Sequence, residues 1–351
     1  GAILLQSGAD IFLTNKQGES PLKLAFTKGD SRERWMLTPE TVGRTDINGC
    51  TVLHYAASWG MYRIIPLIVQ QGGKVNVKNT RGETPLVSAV KTDNAETVRA
   101  LFETETMGGE PLDSYSRDFL GDTALHTAVG WRALGAAEVV LQKTRDSGLL
   151  IGAKNAAGKT ALHVAAQHGD IPFLNLLLAY GADVNIEDRE GKTPLIDALL
   201  YDKNTTVLFL LKAGASSARQ DIQGRTALHE AVASAPPIII QELRQAGADP
   251  LARDSFGNTP LALVLRSGRP ILDVLLGNNS LITNSDGDTP LHIAVQENAD
   301  FDILRYLILK GYPINKRNRM GITALTLAAK QGAAELCAVL IDSGADVFAA
   351  D

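Results

Sequence analysis

The chain has 351 residues, 45% hydrophobic and 21% charged, which is typical of folded proteins and excludes a largely disordered or collagen-like chain. A net charge of -5 disfavours a broad phosphate-binding face, so nucleic acid is not an expected partner. The two cysteines are too few for a disulfide framework or a cysteine-based zinc site, and no apolar run reaches the roughly 18 residues of a membrane span. We therefore predict an intracellular, cytoplasmic protein that does not insert into membranes.

A short motif, Thr-Pro/Ala-Leu-His preceded by Gly and one variable residue, recurs along the chain. Its glycines lie at positions 18, 49, 82, 121, 158, 191, 224, 257, 287 and 321, with a mean step of about 34 residues. The motif Thr is replaced by Ser in the first copy. In all ten copies Leu lies two residues after this Thr or Ser, and Asn or Asp lies five residues before it. Ala lies five residues after it in nine of the ten copies, Val264 being the exception. This self-similarity predicts a repeat protein.

Within each copy the residues predict a turn followed by two helices. Asn or Asp favours a turn because its side chain bonds the backbone two residues on, and the following Gly tolerates positive φ. Thr before Pro or Ala is a helix N-cap followed by the first helical position. A second apolar run, such as 173–178, ends at a glycine that caps the helix, here Gly181. Neither helix can bury its apolar face alone, so the units are expected to stack.

These motifs resemble the ankyrin-repeat family over essentially the whole chain. The resemblance implies an all-α repeat protein, a solenoid of helix-turn-helix units with β-turn or hairpin fingers. We predict a single domain over 1–351, with a partial repeat at 1–17 and ten repeats over 18–351, the last of them truncated. Both chain ends fall inside a repeat, which is expected if the chain was cut from a longer array or if other segments cover its ends.

The spacing of the motif is irregular in three places. The step that follows the glycine at 82 is 39 residues and the next is 37, so extra residues fall in 103–119 and 144–152. We predict that both segments are loops, which carry function more often than the scaffold does. The step before the glycine at 287 is only 30 residues, which predicts a short second helix at 271–276.

Three patterns resemble chemical sites but do not meet their geometric requirements. The stretch 152–160 resembles a phosphate loop, but five residues rather than four separate its glycines. A zinc-protease helix that began at His229 would need a second His at 233, where the chain has Ala. The histidines of the repeat motif are expected in separate layers about 10 Å apart, too far to share a zinc ion. The family resemblance implies instead that each bonds its Thr or nearby backbone. They are His54, His126, His163, His229 and His292. We therefore predict no catalytic residue, no metal site, no cofactor and no small-molecule substrate.

The family resemblance places binding at the fingers and at the exposed end of the first helix, which together line a concave groove. Two of the three tryptophans occupy one helix column, eight residues after the motif Thr, and Trp and Tyr are frequent interface anchors. The binding candidates in this column, with Tyr55 as a neighbour that extends the patch, are Tyr55, Trp59, Trp131, His168 and Tyr201. The alternative is that these rings pack on adjacent helices or cover the long segment at 103–119.

The finger tips supply a second set of candidates, because apolar side chains stand there in place of polar ones. They are Phe119, Leu120, Ile222, Phe256 and Met320. Since scattered exposed apolar residues are common, the alternative is that they pack on the next finger. We predict a protein-interaction scaffold that binds a protein or peptide partner between the repeats of Trp59 and Tyr201. The alternative is a regulatory or targeting segment of a larger enzyme or channel.

Overall fold

The computed structural model describes residues 9–28, 36–107, 109–277 and 279–348. Within these ranges helices alternate with turns and no β-strand forms, apart from isolated bridges between Thr45 and Thr51 and between Gln220 and Thr226. No helix among the same residues combines the length and the apolar character needed to cross a bilayer. The fold is an all-α repeat solenoid, as the sequence predicts.

The first helix of each repeat begins directly after the motif Thr or Ser. These helices are α1 (Pro21–Lys28), α3 (Val52–Ser58), α5 (Pro85–Val90), α7 (Ala124–Trp131), α10 (Ala161–His168), α12 (Pro194–Leu200), α14 (Ala227–Ser234), α16 (Pro260–Ser267), α18 (Pro290–Gln296) and α20 (Ala324–Lys330). Thr193 shows the cap: its backbone is extended and its hydroxyl accepts the N–H of Ile196 at 3.4 Å. The predicted helix starts are therefore confirmed.

The second helices follow after short turns. They are α4 (Ile65–Gln70), α6 (Ala95–Glu103), α8 (Leu134–Lys143), α11 (Ile171–Ala179), α13 (Asn204–Lys212), α15 (Pro237–Gln245), α17 (Leu272–Leu276), α19 (Phe301–Leu309) and α21 (Ala334–Asp342). Two short helices stand outside the pairs: α2 (Pro39–Val42) and α9 (Ser147–Ile151). Helix α17 has only five residues, which confirms the short second helix predicted from the motif spacing.

The two segments predicted as loops differ from each other. The described residues of the first, after the end of α6 at Glu103, are irregular apart from a 3₁₀ turn over Thr104–Met107. The second contains α9, so the loop prediction is wrong there. The Asp146 carboxylate accepts the N–H of Leu149 at 3.1 Å and caps this helix, while Leu150 and Ile151 are buried. A helix of five residues held by a cap and by burial has too few turns to show a periodic pattern in the sequence.

The chain divides into two compact units, the first comprising the described residues up to 165 with 170–183 and the second 166–169 with 184–348. In the first unit α3 packs on α5 and α5 on α7, while α4, α6, α8 and α11 pack in succession. In the second unit α12, α14, α16, α18 and α20 pack in succession, as do α13, α15 and α17, and α19 packs on α21. Each unit therefore has one layer of first helices and one of second helices. The single domain over 1–351 stays a prediction, and part of the predicted partial repeat, 1–8, lies outside the described residues.

The repeated Leu and Ala columns build the core. The Leu two residues after the motif Thr or Ser is at most 9% exposed in every repeat, and the Ala or Val five residues after it is at most 4% exposed. Burying such a Leu contributes roughly 1.5 to 3 kcal/mol, and a small Ala lets neighbouring helices approach closely. The columns that recur within this chain are therefore explained by packing, so specific binding must come from the positions that vary.

Candidate functional site

Each finger is fixed by the Asn or Asp that begins it. In the finger at 118–122 the Oδ1 atom of Asp118 accepts the N–H groups of Leu120 and Asp122, each at 2.9 Å. Gly121 completes the turn with φ of 78°. A Cβ at Gly121 would lie 2.6 Å from the backbone nitrogen of Ala156 in the next finger, so only glycine fits at this position.

Neighbouring fingers of the first unit are joined through their backbones. The Phe119 N–H donates to the Arg81 carbonyl at 3.2 Å, and the Ala156 N–H donates to the Leu120 carbonyl at 3.0 Å. These bonds run between the tips themselves, so the tips form a row whose backbone is set before any partner arrives.

The motif histidine joins its helix to the finger of the next repeat. The Thr123 N–H donates to Nδ1 of His126 at 3.3 Å, and Nε2 of His126 donates to the Lys159 carbonyl at 2.9 Å. The same two contacts hold His54, His229 and His292, and Thr160 donates likewise to Nδ1 of His163. The prediction that these histidines bond their Thr and nearby backbone is confirmed. Among the described residues no group of three His, Cys, Asp or Glu side chains is placed to hold a metal ion.

Two of the predicted binding residues, Tyr55 and Trp59, belong to a cluster of four rings. Tyr55 stacks on Phe12 with ring centroids 5.4 Å apart, and Trp59 lies 5.1 Å from Tyr55 and 6.3 Å, edge-on, from Phe26. The Tyr55 hydroxyl donates to Oδ2 of Asp46 at 2.8 Å, and burial together with this bond raises the pKa of Tyr55. Both rings are half-buried, so these contacts correspond to the packing alternative.

The other ring candidates are exposed. Trp131, the last residue of α7, is 61% exposed, and the Nζ atom of Lys91 lies 5.6 Å from its ring centroid. In the second unit His168 and Tyr201 are also exposed. The exposed ring candidates are therefore divided between the two units.

The finger-tip candidates all face solvent, with exposures between 69% and 76%. Phe119 and Leu120 are adjacent on one finger of the first unit. Ile222, Phe256 and Met320 lie on three different fingers of the second unit. Only the first pair is therefore adjacent in the sequence.

A cavity of about 260 Å³ brings part of both sets together in the first unit. Its lining includes Trp131 from the helix column, Leu120 from a finger tip and the backbone of Gly130, which has no side chain to fill the space. The charged residues of its lining are Glu83, Lys91, Asp118 and Asp122. A second cavity of about 200 Å³ lies between the two preceding fingers, and Glu83 lines both. We call the surface formed by these two cavities the Trp131 groove.

The charged residues of the Trp131 groove were missed by the sequence reasoning. The Nζ atom of Lys91 lies 2.5 Å from Oε1 of Glu83, and Asn79 also donates to that carboxylate at 3.1 Å. Burial of the Glu83 carboxyl raises its pKa, but the bonds from Lys91 and Asn79 lower it. The net effect is that the pKa of Glu83 is lowered. A signal was present: Glu83 and Asp122 occupy the variable position between the motif Gly and Thr, where charge differs from repeat to repeat.

The second unit has a larger cavity of about 430 Å³, between the turns that precede α19 and α21. Asp300 and Glu335 contribute carboxylates to it, and Phe301 contributes an apolar face. None of the predicted binding residues lines it, so it is not the candidate site.

Comparison with known proteins places the repeat in a family. The family described as ankyrin repeats (3 copies) matches residues 2–79, 66–149, 147–221, 228–318 and 261–351. The B-cell lymphoma 3 protein homolog of Mus musculus is 34% identical over 161 residues, covering 44% of this chain and 35% of that protein. Rabankyrin-5 of Mus musculus is 32% identical over 150 residues, covering 42% of this chain and 12% of that protein.

Two further likenesses concern the same family. NF-kappa-B inhibitor alpha of Homo sapiens is 35% identical over 116 residues, covering 32% of this chain and 35% of that protein. The crystal structure of the ankyrin repeat domain of Bcl-3, a member of the IkappaB protein family, is 32% identical with a TM-score of 0.59, covering 66% of this chain and 100% of that one. The matched stretch thus spans about a third of the length of the lymphoma-protein and inhibitor relatives, and less of rabankyrin-5. Because the family match extends over nearly all 351 residues, the chain belongs to the ankyrin-repeat family.

Proposed function

We propose that this chain is a non-enzymatic interaction scaffold that binds a protein or peptide partner in the Trp131 groove of its first unit. The observation that carries the proposal is the exposure of Trp131, 61%, beside a cavity of about 260 Å³. A large ring held at the edge of a cavity is the usual anchor of a protein interface, because it buries much area at little cost in side-chain entropy.

The backbone around Trp131 supports the same function. The finger at 118–122 is held by its own aspartate and by backbone bonds to the fingers on both sides, and His126 of α7 donates to the Lys159 carbonyl of the next finger. A surface that is already ordered loses little conformational freedom on association, so more of the contact energy appears as affinity.

The relatives also support a binding role. One solved relative is described as a member of the IkappaB protein family, and another relative is named as an inhibitor of NF-kappa-B. The partner of this chain follows from neither name, because the matched stretch covers about a third of the length of the inhibitor relative. Three expectations stay predictions. They are the alternative of a regulatory or targeting segment of a larger enzyme or channel, the binding role of the candidates in the second unit, and an intracellular location.

A substitution at Gly130 can block the Trp131 groove by adding a side chain, with every other side chain of the groove kept. A Cβ at Gly130 would meet nothing within 4 Å, and Gly in the interior of a helix is less favourable than other residues by roughly 0.5 to 1 kcal/mol. Gly130→Leu should therefore fold at least as well as the wild type while it places a bulky side chain beside Trp131.

The test is quantitative affinity capture from a lysate of the source organism, with the full chain as bait. We expect Gly130→Leu and Trp131→Ala each to reduce the recovery of specific partners about tenfold or more, the loss that corresponds to roughly 1.4 kcal/mol. The matched control is Leu149→Ala, because Leu149 is 66% exposed on α9 and does not line the groove. Full retention of every partner by both groove variants would refute the proposal.

A further inference from the structure

The cavity at Trp131 has an excess of negative charge. Three carboxylates line it, those of Glu83, Asp118 and Asp122, against the single ammonium of Lys91. His126 adds no charge near neutral pH, because burial lowers its pKa and both ring nitrogens are already hydrogen-bonded. The formal charge of the lining of this cavity is therefore -2, and with Arg81 of the second cavity that of the whole Trp131 groove is -1.

Two of these carboxylates are open to a partner. Neither Asp118 nor Asp122 has an ion pair with any residue that the structure describes. Asp118 accepts the finger's own N–H groups through Oδ1, and Asp122 accepts from Nδ2 of Asn155 at 2.9 Å, also through Oδ1. The Oδ2 atom of each accepts no hydrogen bond from the described part of the chain, so it remains for a donor from outside.

The chain's own lysine shows which chemistry the ring face accepts. The ammonium of Lys91 lies 5.6 Å from the ring centroid of Trp131 and 2.5 Å from the carboxylate of Glu83. A cation near the face of Trp is attracted by the ring quadrupole, and a nearby carboxylate adds to that attraction. Trp131 keeps 61% of its surface exposed despite this contact, so room remains beside Lys91.

The finger beside the cavity also carries exposed apolar side chains, of which Leu120 lines the cavity. Leu120 is 69% exposed and Phe119 is 76% exposed on the finger that also carries the two open carboxylates. A purely apolar partner would remove the carboxylates from water without pairing them, and an acidic partner would be repelled by them. Only a partner that combines positive charge with apolar surface fits both features.

We propose that the occupant is a basic segment of a protein partner, with an arginine or lysine side chain against Trp131, its charge toward Asp118 and Asp122, and an adjacent apolar side chain against Leu120. This inference rests on the proposed function, since it names the chemistry of the partner at the same groove. Arginine is the better fit of the two, because its planar group stacks on the ring and donates to a carboxylate through two N–H groups at once.

The test uses short labelled peptides and the full chain, with binding followed by fluorescence anisotropy. The probe is a hexapeptide of alternating arginine and leucine; one matched peptide carries citrulline, which is neutral and has nearly the same shape, and another carries glutamate. We expect the arginine peptide to bind about fivefold or more tightly than the citrulline peptide. Its affinity should decrease as salt is added, because exposed charges are screened over about 10 Å at 0.1 M ionic strength.

Other repeats of this chain have asparagine at the positions of Asp118 and Asp122, so both carboxylates can be replaced by neutral amides. Asn79 begins the preceding finger with the same pair of bonds that Asp118 makes, and Asn258 occupies the column of Asp122 in another repeat. Asp118→Asn combined with Asp122→Asn should therefore keep the finger folded. It should weaken the arginine peptide about fivefold and leave the citrulline peptide unchanged. Trp131→Leu, which keeps apolar bulk but removes the ring, should weaken the arginine peptide more than the citrulline peptide.

Asp113→Asn is the control for lost charge. Asp113 accepts the Tyr115 N–H at 3.0 Å in the same type of turn, is exposed and does not line the cavity, so this change should leave peptide binding as it is. Equal affinity for the arginine and citrulline peptides, tighter binding of the glutamate peptide, or no binding of the arginine peptide at about 1 mM would overturn the inference. The proposed function would survive that result if Gly130→Leu still lost its captured partners, and it would fall by itself if capture were unaffected.

Discussion

Trp59 and Trp131 occupy the same column of the repeat, eight residues after the motif Thr, yet their surroundings differ. Trp59 is half-buried and contacts the rings of Tyr55 and Phe26. Trp131 is 61% exposed, and a lysine from the preceding repeat lies over its face. One tryptophan thus packs into a ring cluster, and the other is exposed to solvent.

The cause lies in the neighbouring columns. The position of Tyr55 is taken by Thr127 in the repeat of Trp131, and the position of Phe26 in the preceding repeat is taken by Val90. The smaller side chains leave the second ring uncovered, and Thr127 lines the resulting cavity. A residue's place in the repeat therefore fixes the side of the helix from which it projects, but residues from another repeat decide whether it is covered.

The largest effect that separates the two rings should be on stability. Trp59→Ala removes a half-buried ring from a cluster of four, and we expect it to lower the free energy of unfolding by about 1 to 3 kcal/mol. Urea unfolding of the full chain followed by circular dichroism would measure this, with Trp59→Phe as a control that keeps part of the cluster. A loss below about 0.5 kcal/mol, within the range of ordinary surface substitutions, would show that the cluster does not consolidate the fold.

Features that depend on neighbours in sequence could be predicted, and features that depend on distant residues could not. The finger and the start of α7 follow from Asp118, Gly121 and Thr123, all within six positions, and the same columns recur ten times. The cover over Trp59 comes partly from Phe26, 33 residues earlier, and no local pattern signals that contact. Helix α9 was missed for a similar reason, because it is held by the burial of Leu150 and Ile151 rather than by its own periodicity.

The open carboxylates at Trp131 show the same limit. The sequence shows that Asp118 begins a finger and that Asp122 precedes a motif Thr, and both roles are structural. That both residues line one cavity with a ring from α7 depends on how fingers and helices pack, which spacing alone does not give.

The motif histidines should affect stability in the same way in the repeat of Trp59 and in the repeat of Trp131. Burial is the main cause that lowers the pKa of both His54 and His126 from the ordinary 6.5. The unfolded chain therefore takes up a proton before the folded chain does. The free energy of unfolding should begin to decrease as the pH falls below about 6.5, and it should go on decreasing until the folded-state pKa is passed.

The chain contains a matched variant for this pH effect. Thr326 takes the histidine position in the last repeat and forms the same capping box with Thr323, with its hydroxyl accepting the Thr323 N–H at 2.8 Å. His126→Thr should keep that cap, lose the bond to the Lys159 carbonyl at a cost of about 1 kcal/mol, and make stability less dependent on pH. Urea unfolding at pH values above and below 6.5 would measure both effects, and an unchanged pH dependence would contradict the role given to this histidine.

The smallest effect on stability should be that of Trp131→Ala, which we expect to lower the free energy of unfolding by less than about 1 kcal/mol. The ring is 61% exposed, and the Lys91 ammonium lies over its face, a contact of a type worth roughly 0.5 to 1 kcal/mol at exposed sites. Lys91 also keeps its bond to Glu83 when the ring is removed. A double-mutant cycle of Trp131→Ala with Lys91→Met would isolate the contact between ring and ammonium, because each single change removes it. If Trp131→Ala cost as much as Trp59→Ala, the ring would belong to the core, and the Trp131 groove would have no free anchor for a partner.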